Sequence, residues 1–340
     1  SREPVIRRAS ERDIHRAPIP AQLGEGCGGP VERPVQLPRL VHSGDDLALG
    51  VRVVSCNIRK RANVDGKTHM KRHGTALILA MCVQVLLIHA TDWPQFRGPG
   101  GSGIAQDPKS SGVPTEWDTT NNVAWRTDVP GLGWSSPIVW GNRVFLTTAV
   151  DAQGTEQPEE GFYLGKDRGG RGEHRWLVLA RDLNTGAKLW ERQVHQAVPP
   201  RIHLKSSYAS ATPVTDGKRV YAWFGELGLL VALDVADGAQ VWSFSEPPRK
   251  SRENWGFGAS PVMHGGRVYL VHDNEEDACV VAFDAATGKE IWRVKRPPET
   301  NWSTPLVWSN EKRIELVVAA TGGVPSYDME GKPRGELPGM

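Results

Sequence analysis

The feature that most constrains this chain is a segment written three times at fixed spacing: ARDLNTGAKLW at 180–190, ALDVADGAQVW at 232–242 and AFDAATGKEIW at 282–292. Asp to Trp is eight residues in every copy, 182 to 190, 234 to 242 and 284 to 292. A second fixed element precedes each copy: SPIVWGNRVFL, TPVTDGKRVYA and SPVMHGGRVYL. A sequence that repeats its turns together with its apolar runs repeats a structural unit. Each unit holds four short strand candidates, such as PVMH, RVYLVHD, CVVAFDA and KEIWRVK, joined by turn-rich links. In the link D-x-x-x-G the Asp side chain can accept the turn's own amides and the Gly can take positive φ, as a tight hairpin needs. The Trp that follows is positioned to cover the junction with a neighbouring unit. That repeated role accounts for thirteen Trp against seven Phe and five Tyr.

Units of four antiparallel strands at intervals of 48 residues (Pro213 to Pro261) and 44 (Pro261 to Pro305) predict an all-β chain of propeller blades. A fourth unit, TPLVWSNEKRIELVVAATGGVPSYDMEGKPRGEL, has a turn one residue shorter and Gly335 where the Trp should fall, so it reads as a degraded or incomplete copy. NVAWRTDV at 122–129 stands alone ahead of the first unit and reads as a final blade strand with Trp125 in the Trp position. Propellers use roughly four to eight blades. The expectation is therefore an incomplete β-propeller of about four blades over 122–340, with closure at four blades as the alternative.

The chain has 340 residues, 39% hydrophobic and 24% charged, enough to bury one or two substantial cores. A formal charge of +2 gives no global attraction to nucleic acid or to an anionic membrane. Residues 1–69 are Arg- and Pro-rich without a sustained apolar period, which predicts a disordered extension. At Met70 the character changes: Lys71, Arg72 and His73 precede an apolar run from Gly74 to Ile88, the layout of a secretory signal peptide over 70–90. Signal peptides stand at an N-terminus, so Met70 is a candidate true start and 1–69 a candidate spurious extension. A retained anchor and a lipoprotein signal at LAMC (79–82) are the weaker readings, since the run is short for a span and Met81 is bulky. Residues 91–121 then form an N-terminal extended segment, and the mature chain is expected to be periplasmic or extracellular, with no stable membrane span. Of Cys27, Cys56, Cys82 and Cys279, only Cys279 remains after cleavage, which excludes a disulfide framework. In the alternating run ACVVAFD it reads as a small buried hydrophobe.

Propellers bind ligands at the mouth where the innermost strands begin, which directs attention to GLGWSSP, KSSYASATP, NWGFGASP and TNWSTP. These supply Trp134, Tyr208, Trp255, Phe257 and Trp302, with Ser, Asn and Lys205 between them. Aromatic faces interleaved with polar groups suit a planar cofactor, a sugar or a peptide, although packing between blades uses the same residues. PPRIHLKSSY adds Arg201, His203 and Lys205, which alternation would place on one face, positioned to meet a carboxylate. A solvated connection between units is the alternative. HDNEEDAC offers five oxygen-bearing side chains, but without the D-x-D-x-D-G spacing it reads as a solvated hairpin turn rather than a calcium loop. The Gly-rich stretches at 165–176 and 97–105 do not join a strand to a helix, so phosphate cradling is not expected.

The pattern A-x-D-x-x-T/D-G-x-x-x-W resembles the tryptophan-docking motif of the pyrroloquinoline-quinone (PQQ)-like β-propellers. With DWPQFRGPGGSGIA, PGLGWSSPIVWGNRVFLTTA and HLKSSYASATPVTDGKRVYAWFG, the chain resembles the secreted, planctomycete-type members of that family. The resemblance implies a structural role for Asp182, Gly186, Trp190, Asp234, Gly238, Trp242, Asp284, Gly288 and Trp292. It also implies a choice of functions: a binding or scaffold module for a protein or small ligand, a PQQ-dependent dehydrogenase with PQQ and Ca²⁺ as cofactors, or the sensor propeller of a Ser/Thr kinase-related protein. In the enzyme reading Trp134, Tyr208, Trp255 and Trp302 would stack on the quinone and Arg201 or Lys205 would pair with its carboxylates. The dehydrogenases carry an adjacent Cys-Cys disulfide that this sequence lacks, and none of its residues matches their calcium ligands or base. The binding module is therefore the preferred expectation.

Overall fold

The computed structural model describes residues 92–105, 114–154, 167–168 and 172–338, all within the unit 48–340. The expectations placed on 1–90, the signal peptide and LAMC among them, lie outside the described residues, as does most of the Gly-rich stretch before residue 172. The architecture is a β-propeller whose described residues form four blades, each a four-stranded antiparallel sheet. Blade 1 contains β1 (Ile138–Trp140), β2 (Arg143–Asp151) and, after the two-residue β3 (Asp167–Arg168), β4 (His174–Asp182) and β5 (Lys188–Ala197). The short β6 (Ile202–His203) pairs with β3 outside the blade. Blade 2 is β7 (Val214–Thr215), β8 (Arg219–Phe224), β9 (Leu229–Asp234) and β10 (Gln240–Ser245). Blade 3 is β11 (Val262–His264), β12 (Arg267–His272), β13 (Cys279–Asp284) and β14 (Glu290–Lys295).

Blade 4 is complete in its strands, although Gly335 stands where the docking Trp falls in the other units. β15 (Leu306–Ser309), β16 (Ile314–Val317), β17 (Gly323–Tyr327) and β18 (Pro333–Pro338) complete a fourth sheet in the same order. Gly335 in place of Trp does not matter to the ladder, because strand pairing uses main-chain groups. The lone segment 122–129 differs in the other direction: it forms no strand, although Trp125 donates from Nε1 to the Leu183 carbonyl at 2.9 Å.

The middle strands of blades 2 and 3, and most of those of blade 1, are nearly continuous apolar runs because both faces are covered. Along β8 and β9, Val220, Ala222, Phe224, Val231 and Leu233 pack against blade 1 residues Ile138, Phe145, Trp176 and Val178. The alternate set, Tyr221, Trp223, Leu230 and Ala232, packs against Val268, Leu270, Val281 and Phe283 of blade 3. The next junction repeats the scheme, with Tyr269, Val271, Val280 and Ala282 against Leu316, Val318 and Tyr327. Period-two alternation therefore sends successive side chains into two different inter-blade cores.

Two local devices fasten neighbouring blades. The first is the Trp after each D-x-x-x-G turn: Trp190, Trp242 and Trp292 donate from Nε1 to the carbonyls of Val235, Ala285 and Met329, at 3.0, 3.0 and 2.9 Å, each in the turn of the following blade. The second explains the Ser/Thr before each Pro. The Ser136 amide donates to Thr212 Oγ1 at 2.9 Å, the Thr212 amide to Ser260 Oγ at 2.9 Å, and the Ser260 amide to Thr304 Oγ1 at 3.0 Å. Three hydroxyls thus link the inner ends of the four blades in sequence, and the proline after each leaves no further amide to satisfy.

Candidate functional site

The residues just ahead of β1, β7, β11 and β15 build the mouth. Trp134 is held by its amide on Ala209 O and by its Nε1 on Lys205 O at 2.9 Å, yet its ring stays 39% exposed. Beyond β10, the segment 251–257 makes an unusual excursion. Ser251 Oγ accepts the Gly256 amide at 2.8 Å, the Arg252 amide donates to Thr300 Oγ1 at 2.8 Å, and Glu253 and Asn254 take left-handed φ of 47° and 55°. Non-glycine residues at positive φ cost energy and persist only where surrounding bonds impose them. The result lifts Trp255 out to 44% exposure, beside Trp302 at 38%. Their ring centroids are 5.6 Å apart at 34°, and Trp302 Nε1 donates to Gly256 O at 2.8 Å. The Trp302 indole is thereby fixed by a hydrogen bond, and Trp255 is placed by its main-chain bond to Arg252 O.

Lys205 and Ser206 connect this pair to Trp134, since a Cβ placed on Gly256 would stand 2.5 Å from Ser206 Oγ. On the same side, Asn254 Nδ2 donates to Asp167 Oδ2 at 3.0 Å, and the Arg201 guanidinium stands 4.0 Å from that oxygen. Arg201 is largely exposed, and Arg252 extends 4.0 Å from Glu299. The mouth therefore presents three indoles with cationic side chains around them.

Two sequence expectations change here. Tyr208, grouped with the exposed aromatics, is 3% exposed and belongs to the core between blades 1 and 2. Its hydroxyl donates to Pro200 O at 2.6 Å and its ring meets His174 and Trp176 edge-on, so no face is open to a ligand. Phe257 is buried as well, against His272. Arg201, His203 and Lys205 do not share one extended face, because β6 ends at His203 and a turn follows in which the Ser206 amide donates to His203 O at 2.9 Å.

HDNEEDAC is the hairpin turn between β12 and β13, solvated at 275–277 as expected but buried at Asp273 and Asn274. Asp273 is buried against Arg296, with Nε to Oδ1 at 2.7 Å; Asn274 Oδ1 accepts the amides of Glu276 and Asp277; and Glu275 Oε1 accepts the Thr300 hydroxyl at 2.7 Å. Its oxygens organise the loop beneath the mouth. Among the described residues no three His, Cys, Asp or Glu side chains converge as ion ligands. Cys279 is buried, its thiol pushed up to about 12 chiefly by burial, with Arg293 Nη1 3.0 Å from Sγ.

Sequence reasoning missed Glu226. It is 2% exposed in the turn between β8 and β9, and its Oε1 accepts the Phe257 amide at 3.0 Å. Burial, opposed by that amide, pushes its carboxyl up to about 7. The one available signal was a single carboxylate inside the apolar run YAWFGELGLLVAL.

Residues 174–336, a little under half of the chain, match the family described as outer membrane protein assembly factor BamB. Among solved structures, BamB from Moraxella catarrhalis is 16% identical, with a TM-score of 0.41 over 64% of this chain and 55% of that one. A europium-containing methanol dehydrogenase is 14% identical, with a TM-score of 0.44 over 65% of this chain and 46% of that one. Quinohemoprotein alcohol dehydrogenase from Comamonas testosteroni is 14% identical, with a TM-score of 0.46 over 73% of this chain and 41% of that one. The chain thus spans about half the length of these structures or less. No curated protein matches it.

Proposed function

We propose that this chain, a PQQ-like β-propeller repeat protein, is a binding or scaffold module of the periplasm or cell exterior that takes an extended polypeptide at its mouth. One observation carries the reading: Trp255 and Trp302 are held at 44% and 38% exposure by main-chain bonds, where burial would be the ordinary fate of a tryptophan pair. Aromatic anchors of this kind dominate the energetics of protein recognition. The surrounding Arg201, Lys205 and Arg252 favour a ligand with aromatic and acidic side chains. The match to the assembly-factor family supports protein binding and an envelope location. Among the described residues no helix is long and apolar enough to cross a membrane.

The test uses the full chain and a fluorescein-labelled twelve-residue peptide in which Tyr and Phe alternate with Ser and Asp. Trp255→Ala and Trp302→Ala are each expected to weaken its binding about tenfold, the loss of roughly 1.4 kcal/mol. Binding that neither substitution weakens would remove the mouth from consideration. Dye-linked alcohol oxidation on addition of PQQ and Ca²⁺, lost in the same variants, would replace the binding module with the enzyme.

A further inference from the structure

Asp92–Gly101 runs as one short segment against the inner strands of three blades. Asp92 Oδ1 accepts the Gly141 amide at 2.7 Å, immediately after β1. Trp93 exchanges both main-chain hydrogen bonds with Val139 of β1, at 2.8 and 2.9 Å, and the Pro94 carbonyl accepts the Thr215 amide of β7 at 2.9 Å. Further along, a Cβ on Gly101 would stand 3.1 Å from a Leu306 methyl of β15. Blade ladders use the other edges of β1 and β7, pairing them with β2 and β8. The inner edges are therefore main-chain templates that a peptide can extend, as in strand addition to an exposed sheet edge.

The segment is shaped for this seat. The Gly98 amide closes a turn on Gln95 O at 2.9 Å, and Gly98, at φ 70°, lies so flat on the Trp93 ring that a Cβ would be 2.5 Å from it. The seat stands apart from the mouth: Trp134 precedes β1, whereas Gly141 follows it.

We propose that the inner edges of β1 and β7 form a second binding site, for an extended peptide carrying an acidic-aromatic-proline sequence, and that residues 92–101 are its resident ligand, held in cis. Specificity comes from the Gly141 amide, which wants a side-chain acceptor, and from the third position, where only a carbonyl is used and proline's missing amide costs nothing. A tethered segment acts at an effective concentration in the millimolar range, so a free peptide competes only once the resident one is disabled. The site does not depend on the function proposed for the mouth.

The experiment titrates fluorescein-labelled TDWPQFRGPGGSGIA, the sequence of 91–105, into the full chain and into a double variant carrying Trp93→Pro and Gly98→Val. The proline supplies no amide for Val139 O, and the β-branched valine is strained at the left-handed φ that the turn requires. Both changes lie outside the blades. The expected result is at least tenfold tighter binding to the variant than to the unaltered chain, with a scrambled peptide inert. Hydrogen exchange supplies the second readout: the amides of Val139, Gly141 and Thr215 should exchange faster in the variant and slow again when peptide is added. Equal binding to both chains overturns the proposal, as does a variant whose three amides are freed but which binds nothing, or one whose amides stay protected. Should the double variant lose its β-sheet circular dichroism, Gly98→Val alone, which keeps every main-chain donor, is held to the same outcomes.

Discussion

Gly238 has two separate reasons to be glycine. Its φ is 74°, and a Cβ there would lie 2.7 Å from the Trp190 ring. Gly265 shares only the first, with φ 56° and open space around the Cβ position. Gly265→Ala is expected to cost about 1 kcal/mol, the left-handed penalty alone. Gly238→Ala must also displace a docked indole, which brings the loss to about 3 kcal/mol. Urea unfolding of the two variants measures the difference directly, and equal losses would show that the ring yields freely. Glu226 makes the second prediction at this scale. Its carboxyl, ordinarily at 4.5, is raised to about 7, so between those values the folded chain holds a proton that the unfolded chain releases. The stability it contributes is full below pH 4.5 and is lost as pH rises through 7. Glu226→Gln keeps an acceptor for the Phe257 amide without the charge. The variant should be more stable than the unaltered chain at pH 8, by on the order of 2 kcal/mol, with the advantage absent at about pH 4. Parallel stability curves across that range would mean that Glu226 does not titrate in the fold.

At the scale of the element, the docking Trp is a repeated part whose copies are not equal. Trp190 Nε1 serves the Val235 carbonyl, whereas the Ala285 carbonyl served by Trp242 also lies 3.0 Å from the Tyr221 hydroxyl, whose single proton it shares with Asp216 Oδ2 at 2.9 Å. Phenylalanine keeps most of the apolar contact and removes the donor. An unsatisfied buried carbonyl costs about 1–3 kcal/mol, so Trp190→Phe should destabilise more than Trp242→Phe, where Tyr221 remains. Thermal melts that rank the two the other way would sink the hydrogen-bond account. The four-strand pattern of each unit was legible in the sequence because turn chemistry and alternation are local. The hydroxyl relay from Ser136 through Thr212 and Ser260 to Thr304 was visible only as a Ser/Thr-Pro motif, since its partners lie one blade apart.

For the whole molecule, the question is what couples blades into one cooperative body. Between blades 3 and 4 the Arg296 guanidinium grips the buried Asp273 at 2.7 and 3.1 Å and donates to the Tyr327 hydroxyl at 3.0 Å. Arg296→Leu leaves a buried carboxylate without its cation and should cost about 3–5 kcal/mol. Replacing both partners, Arg296→Leu with Asp273→Leu, should recover most of that loss. If the single and double variants unfold at the same urea concentration, the pair is not the coupling. The Asp273 loop also supports the mouth, because Glu275 holds Thr300 and Thr300 holds the Arg252 amide beneath Trp255.

The sequence by itself determined the repeating unit, the four strands within it, and the pairing of each Trp with a glycine-bearing turn, because all three depend on spacing within one unit and on its translation to the next. Tertiary structure decided which aromatic rings see solvent. Tyr208 and Trp134 occupy similar stretches ahead of an inner strand, yet one is enclosed by Trp176 and His174 and the other is not. The same holds for Asp273, read as a solvated turn residue, and for Glu226, which gave little signal at all. The physical reason is that a propeller strand is covered on both faces by different neighbours. Alternation names the two faces, but only the packed blades settle how completely each is closed.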